Sequence, residues 1–367
     1  MVNGLNEMLG NYNSTIDLDK ISNTKQGDDK EMMSLVNEME SGNVDALLIY
    51  GIDPVLSFGD RFKKALSKVK TTVSFASKMD ETAAECNYVC PDSHFLESWN
   101  DANPVLGHYS LGQPTISPLF DTRQVQESLM KWTGTEGSYH DYIKAYWKEN
   151  VFPKTEALLF IDFWNLSIHD GVVETKIEKK ALNTINLTEN VSKAATKVAN
   201  IKVDSSAYEL TLYIKEGIGH GVGADNPVLQ ELPDPVSKIT WDNYVTMNPS
   251  EMKDKNYNTI FGQESPANLI AVTVGDKTIE LPVIAQPGQA KGTIGIALGY
   301  GKAVGKMKEL TGKNAYPFVV RDKDGSPLYT ANATITDLEG SYPIAAAQTQ
   351  QTVMGRGSII KETTIKT

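Results

Sequence analysis

The sequence predicts an α/β fold in which a parallel-sheet domain is followed by a β-barrel or β-sandwich domain. Between residues 46 and 99 an apolar strand, an amphipathic helix and a second strand alternate, which is typical of a parallel sheet with right-handed crossovers. From about Ala207 the apolar period changes to two, and Gly- and Pro-containing turns separate short strands, as in barrels and sandwiches. The length of 367 residues accommodates about two domains of roughly 150 residues each.

The first strand is predicted at Ala46–Gly51 (ALLIYG), a short apolar run typical of a strand buried on both faces. An amphipathic helix follows at Arg61–Val69, and the β-branched run Thr71–Ala76 predicts the next strand. In open parallel sheets, ligands bind outside the carboxyl ends of the strands. Three candidate ligand loops meet that description: Gly51–Pro54, Ser77–Thr82 and Pro91–Glu97.

Helices are also predicted around this stretch. Residues 28–44 indicate a helix ended by Gly42, whose Met-rich face suits either core packing or a partner, whereas residues 5–18 suggest a strand end and a turn. A second helix is predicted at Arg123–Trp132, capped by Asp121 or Thr122, with Val125, Leu129 and Trp132 on one face. A third, Tyr139–Trp147, carries tyrosines that either pack in the core or stack on a ligand.

The second domain is predicted from alternating runs: YELTLYI, NLIAVTV, TIELPVIA, TIGIAL and PFVV. Gly275-Asp276 lies between two such runs and predicts a hairpin turn, and Asp324-Gly325 predicts another. The central segment Ala157–Gly171 has a short apolar centre among polar residues, which suggests that it docks between domains.

Composition excludes several classes of function. A net charge of −11 and a pI near 5.1 argue against nucleic-acid binding, which depends on basic patches. No apolar run reaches the roughly 18 residues of a membrane span, and the N-terminal residues carry no targeting signal. The chain starts in the middle of a pattern, and we therefore expect it to be part of a longer protein.

Metal and redox motifs are weak. Cys86 and Cys90 suit either half of a metal or redox site or two small apolar side chains on a strand, and a disulfide requires that strand to bend. Two cysteines are too few for an iron–sulfur cluster. The histidines show no paired metal spacing; we expect His94 to make a hydrogen bond that orients its loop. They are His94, His108, His140, His169 and His220.

Two glycine-rich segments fail as nucleotide-binding motifs. Ile218–Ala224 contains G-x-G-x-x-A, but the prolines that follow are expected to prevent the helix needed to receive a pyrophosphate. The run GYGKAVGK, which begins at Gly299, has the wrong glycine spacing for a phosphate loop and has Met307 where Ser or Thr is required.

Several loops together resemble the catalytic subunits of the molybdopterin oxidoreductase family. The runs GIDPV, DETA and CNYVCPDSHFLES are similar to the family's G-x-N-P, T-E-T-A and A-D-V-V-L-P segments, in the same order and spacing. Later, LPDP, KITWDN, PVIAQPG and LGYGK resemble segments of its C-terminal domain, especially in the branch found in bacterial alternative complex III. That complex is a membrane-bound respiratory quinol oxidoreductase, and its homologous domain is understood to have lost the molybdenum cofactor.

The resemblance implies a Rossmann-like parallel-sheet domain and a double-psi β-barrel that closes over a pterin dinucleotide in relatives that bind one. We expect a degenerate cofactor pocket in this chain, with no cofactor, no metal and no catalytic residue. The family's molybdopterin guanine dinucleotide and iron–sulfur clusters would belong to regions outside it. The implied pocket residues are Gly51, Asp53, Pro54, Glu81, Thr82, Pro91, Glu97, Gln113, Gly299, Tyr300 and Lys302.

Asp53 bears most directly on the cofactor, because the family has Asn at this position and the branch has Arg where Lys302 stands. An ionised Asp only accepts hydrogen bonds and would repel a pyrophosphate, by about 1 kcal/mol or more at ~4 Å. The carboxylates Asp53, Asp80, Glu81, Asp92 and Glu97 suit either acid–base chemistry or a network that accepts backbone N–H groups, and the network is favoured.

The function implied is that of a structural or electron-transfer scaffold within alternative complex III, whose isolated chain is inactive. The alternatives are the C-terminal part of an active molybdopterin-dinucleotide-dependent oxidoreductase and a module that binds a nucleotide in the same pocket. The implied partners are haem c and membrane subunits, on the periplasmic side of the inner membrane, without direct insertion. The predicted divisions are 1–135 (α/β), 136–205 (connector), 206–345 (barrel) and 346–367 (polar tail).

Overall fold

The structure is a computed structural model that describes residues 1–177, 188–200, 206–261, 265–308, 310–322, 325–347, 356–358 and 363–365. The chain forms two compact units. The first comprises residues 1–28, 74–77 and 89–203, and the second comprises residues 29–73, 78–88 and 204–367. Asp324 and most of the predicted polar tail lie outside the described residues.

The helices differ widely in length. They are α1 (Val2–Met8), α2 (Asp29–Glu40), α3 (Pro54–Phe58), α4 (Asp60–Leu66), α5 (Val125–Thr133), α6 (Tyr139–Asn150), α7 (Phe160–Asp170), α8 (Thr188–Ala199), α9 (Pro227–Gln230) and α10 (Pro249–Asp254). Within the described part of the chain, none of them is long and apolar enough to cross a membrane.

The strands fall into three small sheets and one barrel. They are β1 (Ala46–Ile49), β2 (Thr71–Ser74), β3 (Tyr88–Val89), β4 (Asn100–Val105), β5 (His108–Gly112), β6 (Val172–Glu174), β7 (Tyr208–Tyr213), β8 (Val245–Met247), β9 (Ala267–Val274), β10 (Lys277–Ala285), β11 (Thr293–Ala297), β12 (Val320–Arg321), β13 (Pro327–Leu328) and β14 (Thr330–Tyr342).

The predicted parallel sheet is confirmed as a three-stranded sheet in the order β1-β2-β3. Helix α2 uses its Met-rich face for the core, because Val36 and Met39 are fully buried. They pack with Phe62 and Leu66 of α4. The expectation that β1 is buried on both faces was wrong: Leu48 is 48% exposed, since β1 lies at the edge of the sheet and buries only the face that carries Ile49.

The predicted barrel is confirmed: β7 to β11 and β14 close in the order β10-β8-β11-β7-β14-β9. Two of its neighbouring pairs, β10 with β8 and β11 with β7, are parallel. The predicted hairpin at Gly275-Asp276 joins β9 and β10, and the positive φ of Gly275 suits the first position of so tight a turn. The interior is filled by alternate apolar residues such as Leu210, Val245 and Ile296.

The first unit holds an antiparallel sheet in the order β4-β5-β6, which the sequence analysis did not anticipate. Trp147 of α6 and Phe163 and Trp164 of α7 form its aromatic core together with Leu111 of β5. These side chains explain why two amphipathic helices form where the sequence carries few aliphatic residues.

The N-terminal part of the α5 prediction was wrong. The helix is capped at Gln124 instead of Asp121 or Thr122, and Asp92 accepts the Val125 N–H across the loop at 2.8 Å. A distant side chain therefore supplies the hydrogen bond that a local capping residue usually provides. Of the predicted apolar face, Val125 is buried, but Leu129 and Trp132 are 39% and 51% exposed, and Ser128 is buried.

Three other local predictions need correction. Residues 2–8 form α1 instead of a strand end. A four-residue helix, α9, does follow the glycine-rich segment at Ile218–Ala224, because Pro227 occupies its first turn, where no N–H is needed. The run PFVV is split between a short 3₁₀ turn and β12.

Candidate functional site

Asp53 links the end of β1 to the start of α3. Gly51, with φ of +70°, turns the chain out of the strand, and Pro54 occupies the first helical position, which its fixed φ favours. The Asp53 carboxylate caps the helix by accepting the Leu56 N–H at 3.3 Å through Oδ1. The negative charge that the N-terminus of α3 attracts is therefore already supplied by the Asp53 carboxylate.

Thr82 ties the second predicted ligand loop to the same carboxylate. Its N–H and its hydroxyl both donate to Asp53 Oδ1, at 3.1 and 2.6 Å. The Thr82 oxygen in turn accepts the N–H of Val55 at 3.0 Å. Thr82 is fully buried, and its hydroxyl both donates and accepts a hydrogen bond within the protein, so that it needs no further partner.

Lys302 completes the cluster from the barrel side of the second unit. Its Nζ lies 2.9 Å from Asp53 Oδ2 and also contacts Glu81 Oε2. Glu81 accepts the Ala303 N–H through Oε1 at 2.8 Å, so that the carboxylate holds both the side chain and the backbone of this segment. Only 5% of the Lys302 side chain is exposed. We call Asp53, Glu81 and Lys302 the buried ion triad.

Two glycines, Gly299 and Gly301, allow the segment that carries Lys302 to pack closely against neighbouring backbone. Gly301 has φ of +70°, and its N–H donates to the Thr311 carbonyl at 2.7 Å. A Cβ on Gly301 would lie 2.1 Å from the Asn314 nitrogen, and a Cβ on Gly299 would lie 2.5 Å from the Gly219 oxygen. The close approach of these backbone segments requires glycine at both positions.

Within the triad, the pKa values of the two carboxyl groups shift in opposite directions. For Asp53, burial is outweighed by the Glu81 hydrogen bond and the Lys302 charge, which together lower its pKa. Burial and the hydrogen bond with Asp53 raise the pKa of Glu81. Burial disfavours the Lys302 ammonium, but the charge of Asp53 and the contact with Glu81 outweigh it and raise the pKa of Lys302. Nearby, burial raises the pKa of Asp80.

Each of the five carboxylates accepts a backbone N–H, as the network interpretation predicts. Asp80 accepts from Ala83 at 2.7 Å. In the first unit, Glu97 accepts from His94 and Leu119, both at 2.9 Å. His94 orients its loop as expected, by accepting the N–H of Leu96 through Nδ1 at 3.3 Å.

The remaining predicted site residues have structural contacts of their own. Tyr300 is almost fully buried, and Gln113, in the first unit, donates to the Ile168 carbonyl at 2.8 Å. The Pro91 carbonyl, in the same unit, accepts the Arg123 N–H at 3.5 Å. A cofactor role for these residues stays a prediction.

A second buried lysine was missed in the sequence. Lys215 follows β7, and its Nζ lies 4.1 Å from the Tyr244 ring centroid and 5.3 Å from that of Tyr300. Burial lowers its pKa to about 8, against the opposing charges of Asp234 and Asp242. No motif marks Lys215, because its aromatic neighbours come from distant parts of the chain.

The described residues contain no group of three or more His, Cys, Asp or Glu side chains arranged to hold a metal ion. Both cysteines are free thiols and half-buried. Burial raises the pKa of Cys86, which makes it a poor nucleophile and metal ligand at neutral pH. Cys86 packs against the apolar cluster that contains Val36 and Phe62, which is consistent with its interpretation as a small packing side chain.

Comparison with known proteins finds similarity both in sequence and in fold. The chain is 38% identical over 112 residues to the menaquinone reductase molybdopterin-binding-like subunit of Nitratidesulfovibrio vulgaris, an alignment that spans 27% of this chain and 16% of that subunit. Its fold is similar to that of acetylene hydratase from Pelobacter acetylenicus, with a TM-score of 0.57 and 14% identity. That similarity covers 83% of this chain and 46% of the hydratase. No family model matches.

The sequence match confirms the resemblance that the loop motifs indicated. The sequence match supports homology with that subunit over the aligned residues, and the structural match supports the fold alone. The chain spans less than half of either relative's length.

Proposed function

We propose, from the premise that this chain resembles the molybdopterin oxidoreductase family in sequence and in fold, that it is part of a quinone oxidoreductase subunit that serves as a scaffold. The finer assignment that we propose is the alternative complex III branch, with haem c and membrane subunits as partners on the periplasmic side of the inner membrane. A Rossmann-like first sheet and a double-psi barrel belong to the same proposal.

The observation that carries the scaffold proposal is the buried ion triad. A pterin dinucleotide contains a pyrophosphate, and proteins bind such anions with free helix N-termini and available basic side chains. Here Asp53 caps α3, and Lys302 is bound to two carboxylates. The chemistry of these residues does not fit a pyrophosphate.

Charge around the triad points the same way. Asp53, Asp80 and Glu81 place three carboxyl groups around a single ammonium, whose charge does not suffice for all of them: the pKa of Asp53 is lowered, but burial raises the pKa of Asp80 and of Glu81. An incoming pyrophosphate would have to displace these carboxylates from Lys302 and leave them buried without a partner, a change that costs several kcal/mol in general. The degenerate pocket that we propose in this unit comprises Gly51, Asp53, Pro54, Glu81, Thr82, Gly299, Tyr300 and Lys302.

The test is the molybdenum and pterin content of the natively purified full-length protein, per mole of chain. Metal content is measured by mass spectrometry, and pterin is measured as its fluorescent oxidation product. We expect values near zero for this protein and near-stoichiometric values for a molybdopterin enzyme produced in the same cells, which serves as the control for cofactor supply.

Near-stoichiometric molybdenum and pterin would overturn the scaffold proposal and favour an active oxidoreductase. Assembly is measured separately, by co-purification of haem and iron–sulfur subunits with the tagged full-length protein. A monomeric protein without such subunits would contradict the proposed complex, whatever its molybdenum content.

A further inference from the structure

A cleft of about 270 Å³ opens in the first unit between α6 and the sheet that contains β4 and β5. Four tyrosines line it, namely Tyr109 of β5 and Tyr139, Tyr142 and Tyr146 of α6, together with Asp101 and Asn103 of β4. We call it the tyrosine cleft. Neither the proposed scaffold function nor the buried ion triad, which lies in the other unit, uses it.

The helix presents these tyrosines for a local reason. A capping box between Ser138 and Asp141 fixes the start of α6, so that positions 139, 142 and 146 share one face. The inner face is occupied by Ile143 and Trp147, which are fully buried. Tyr139 packs against that core, whereas Tyr142 and Tyr146 remain 52% and 43% exposed.

Asp101 gives the cleft a directed charge. Its Oδ2 accepts the indole N–H of Trp147 at 2.9 Å, which fixes the carboxylate against the core. Over the described part of the chain, no donor lies within hydrogen-bond distance of Oδ1. The neighbouring Asn103 is fully engaged, because its amide donates to the carbonyls of Val105 and His108 and accepts from Asn23.

A cation already uses part of this surface. The Nζ of Lys154 lies 5.9 Å from the ring centroid of Tyr109. Among the described residues, no lysine or arginine takes such a position over Tyr142 or Tyr146. The rings of Tyr139 and Tyr142 are stacked 5.9 Å apart, with an angle of 18° between their planes.

We propose that the tyrosine cleft binds an organic cation, an alkylammonium or guanidinium group that is either free or carried on the side chain of another protein. The negative faces of tyrosine rings attract such a cation, and the open Asp101 oxygen accepts its N–H groups where it has them. Anions are disfavoured, because the cleft offers a carboxylate and the amide donors of Asn103 are already used.

The experiment follows the indole ¹⁵N–¹H resonance of Trp147, the direct neighbour of Asp101, while the protein is titrated with choline or ethylguanidinium. We expect a saturable shift for both cations and none for 3,3-dimethylbutan-1-ol, the neutral isostere of choline. Tyr142→Leu and Tyr146→Leu each weaken binding by about threefold to tenfold, as loss of one cation–π contact does. Asp101→Asn weakens it further and keeps an acceptor for Trp147.

The matched control is Tyr88→Leu, which removes an exposed tyrosine outside the cleft and leaves the affinity unchanged. Equal binding of the neutral isostere, or unchanged affinity in the double variant of Tyr142 and Tyr146, would overturn the proposal. Both tyrosines are too exposed for their loss to prevent folding. Competition by a peptide with a single arginine assigns the site to a protein side chain, and competition by free cations alone assigns it to a small molecule.

Discussion

Replacement of Lys302 by methionine tests the buried ion triad directly. The variant keeps an unbranched side chain of similar length but removes the ammonium that contacts Asp53 and Glu81. Two carboxyl groups then lie buried side by side without a cation, and we expect the second unit to lose stability.

The magnitude follows from the geometry. At 2.9 Å and an effective dielectric constant of about 20, the attraction between Lys302 and Asp53 is roughly 6 kcal/mol before the cost of burial. Removal of one partner of a buried pair generally costs about 3–5 kcal/mol. The pKa of Glu81 is already raised, so that Glu81 can take up a proton in the variant. We therefore expect a loss in the free energy of unfolding at the lower end of this range, about 3 kcal/mol.

The loss should depend on pH. The pKa of Asp53 is lowered in the folded protein, so its contribution is present above its ordinary pKa near 4 and is lost as the pH falls. Without Lys302, burial raises the pKa of both carboxyl groups, and the variant regains stability as they protonate. The difference between wild type and variant is therefore largest near neutral pH and shrinks below about pH 5.

The assay is urea unfolding at pH 7 and pH 4.5, followed by tryptophan fluorescence, to which Trp241 contributes from the second unit and the other four tryptophans from the first. Lys70→Met is the matched control, since Lys70 pairs with Asp45 on the surface, and we expect its midpoint to equal that of wild type. The triple variant Asp53→Asn, Glu81→Gln and Lys302→Met should recover much of the loss. Equal midpoints for the Lys302 and Lys70 variants would refute the reasoning.

Two further predictions concern the same unit. Lys215→Met should be neutral or stabilising by about 1–3 kcal/mol at pH 7, because burial lowers the Lys215 pKa to about 8. As the pH rises from about 8 to 10.5, the stability of the wild type should increase relative to that of the variant. A constant difference in thermal midpoint across that range would contradict this prediction. In urea unfolding, Gly301→Ala should cost about 1–3 kcal/mol, because of the positive φ at this position and the close Asn314 nitrogen. Gly292 has a similar φ but open space where a Cβ would lie, and Gly292→Ala should cost about 1 kcal/mol. Equal losses for the two variants would contradict the steric argument.

The sequence predicted the elements whose signal is local. The period-two strands of the barrel and the Met-rich helix α2 were recognisable, because one buried face is sufficient to impose a repeat. The cap of α5 was not, because its hydrogen bond comes from Asp92, more than thirty residues away. The exposure of Leu48 was missed for a similar reason, since composition does not reveal whether a strand lies at a sheet edge.

The candidate site was predicted in part. Asp53, Glu81 and Thr82 were expected in neighbouring loops of one sheet, and they do contact one another. Lys302 was singled out through the resemblance, but its contact with these carboxylates could not be read from spacing, because 249 residues separate it from Asp53. Lys215 carries no motif, and only the folded barrel reveals its aromatic neighbours.

That separation of 249 residues has a consequence for synthesis and quality control. Asp53 and Glu81 leave the ribosome long before Lys302, so the helix that Asp53 caps must remain hydrated until most of the chain has been made. The barrel imposes the same delay, because β7 pairs with β14 across more than a hundred residues. In a chain that ends before residue 302, the two carboxylates have no cation and stay hydrated, so that the second unit does not close; we expect cellular proteases to remove such a chain while the completed chain persists.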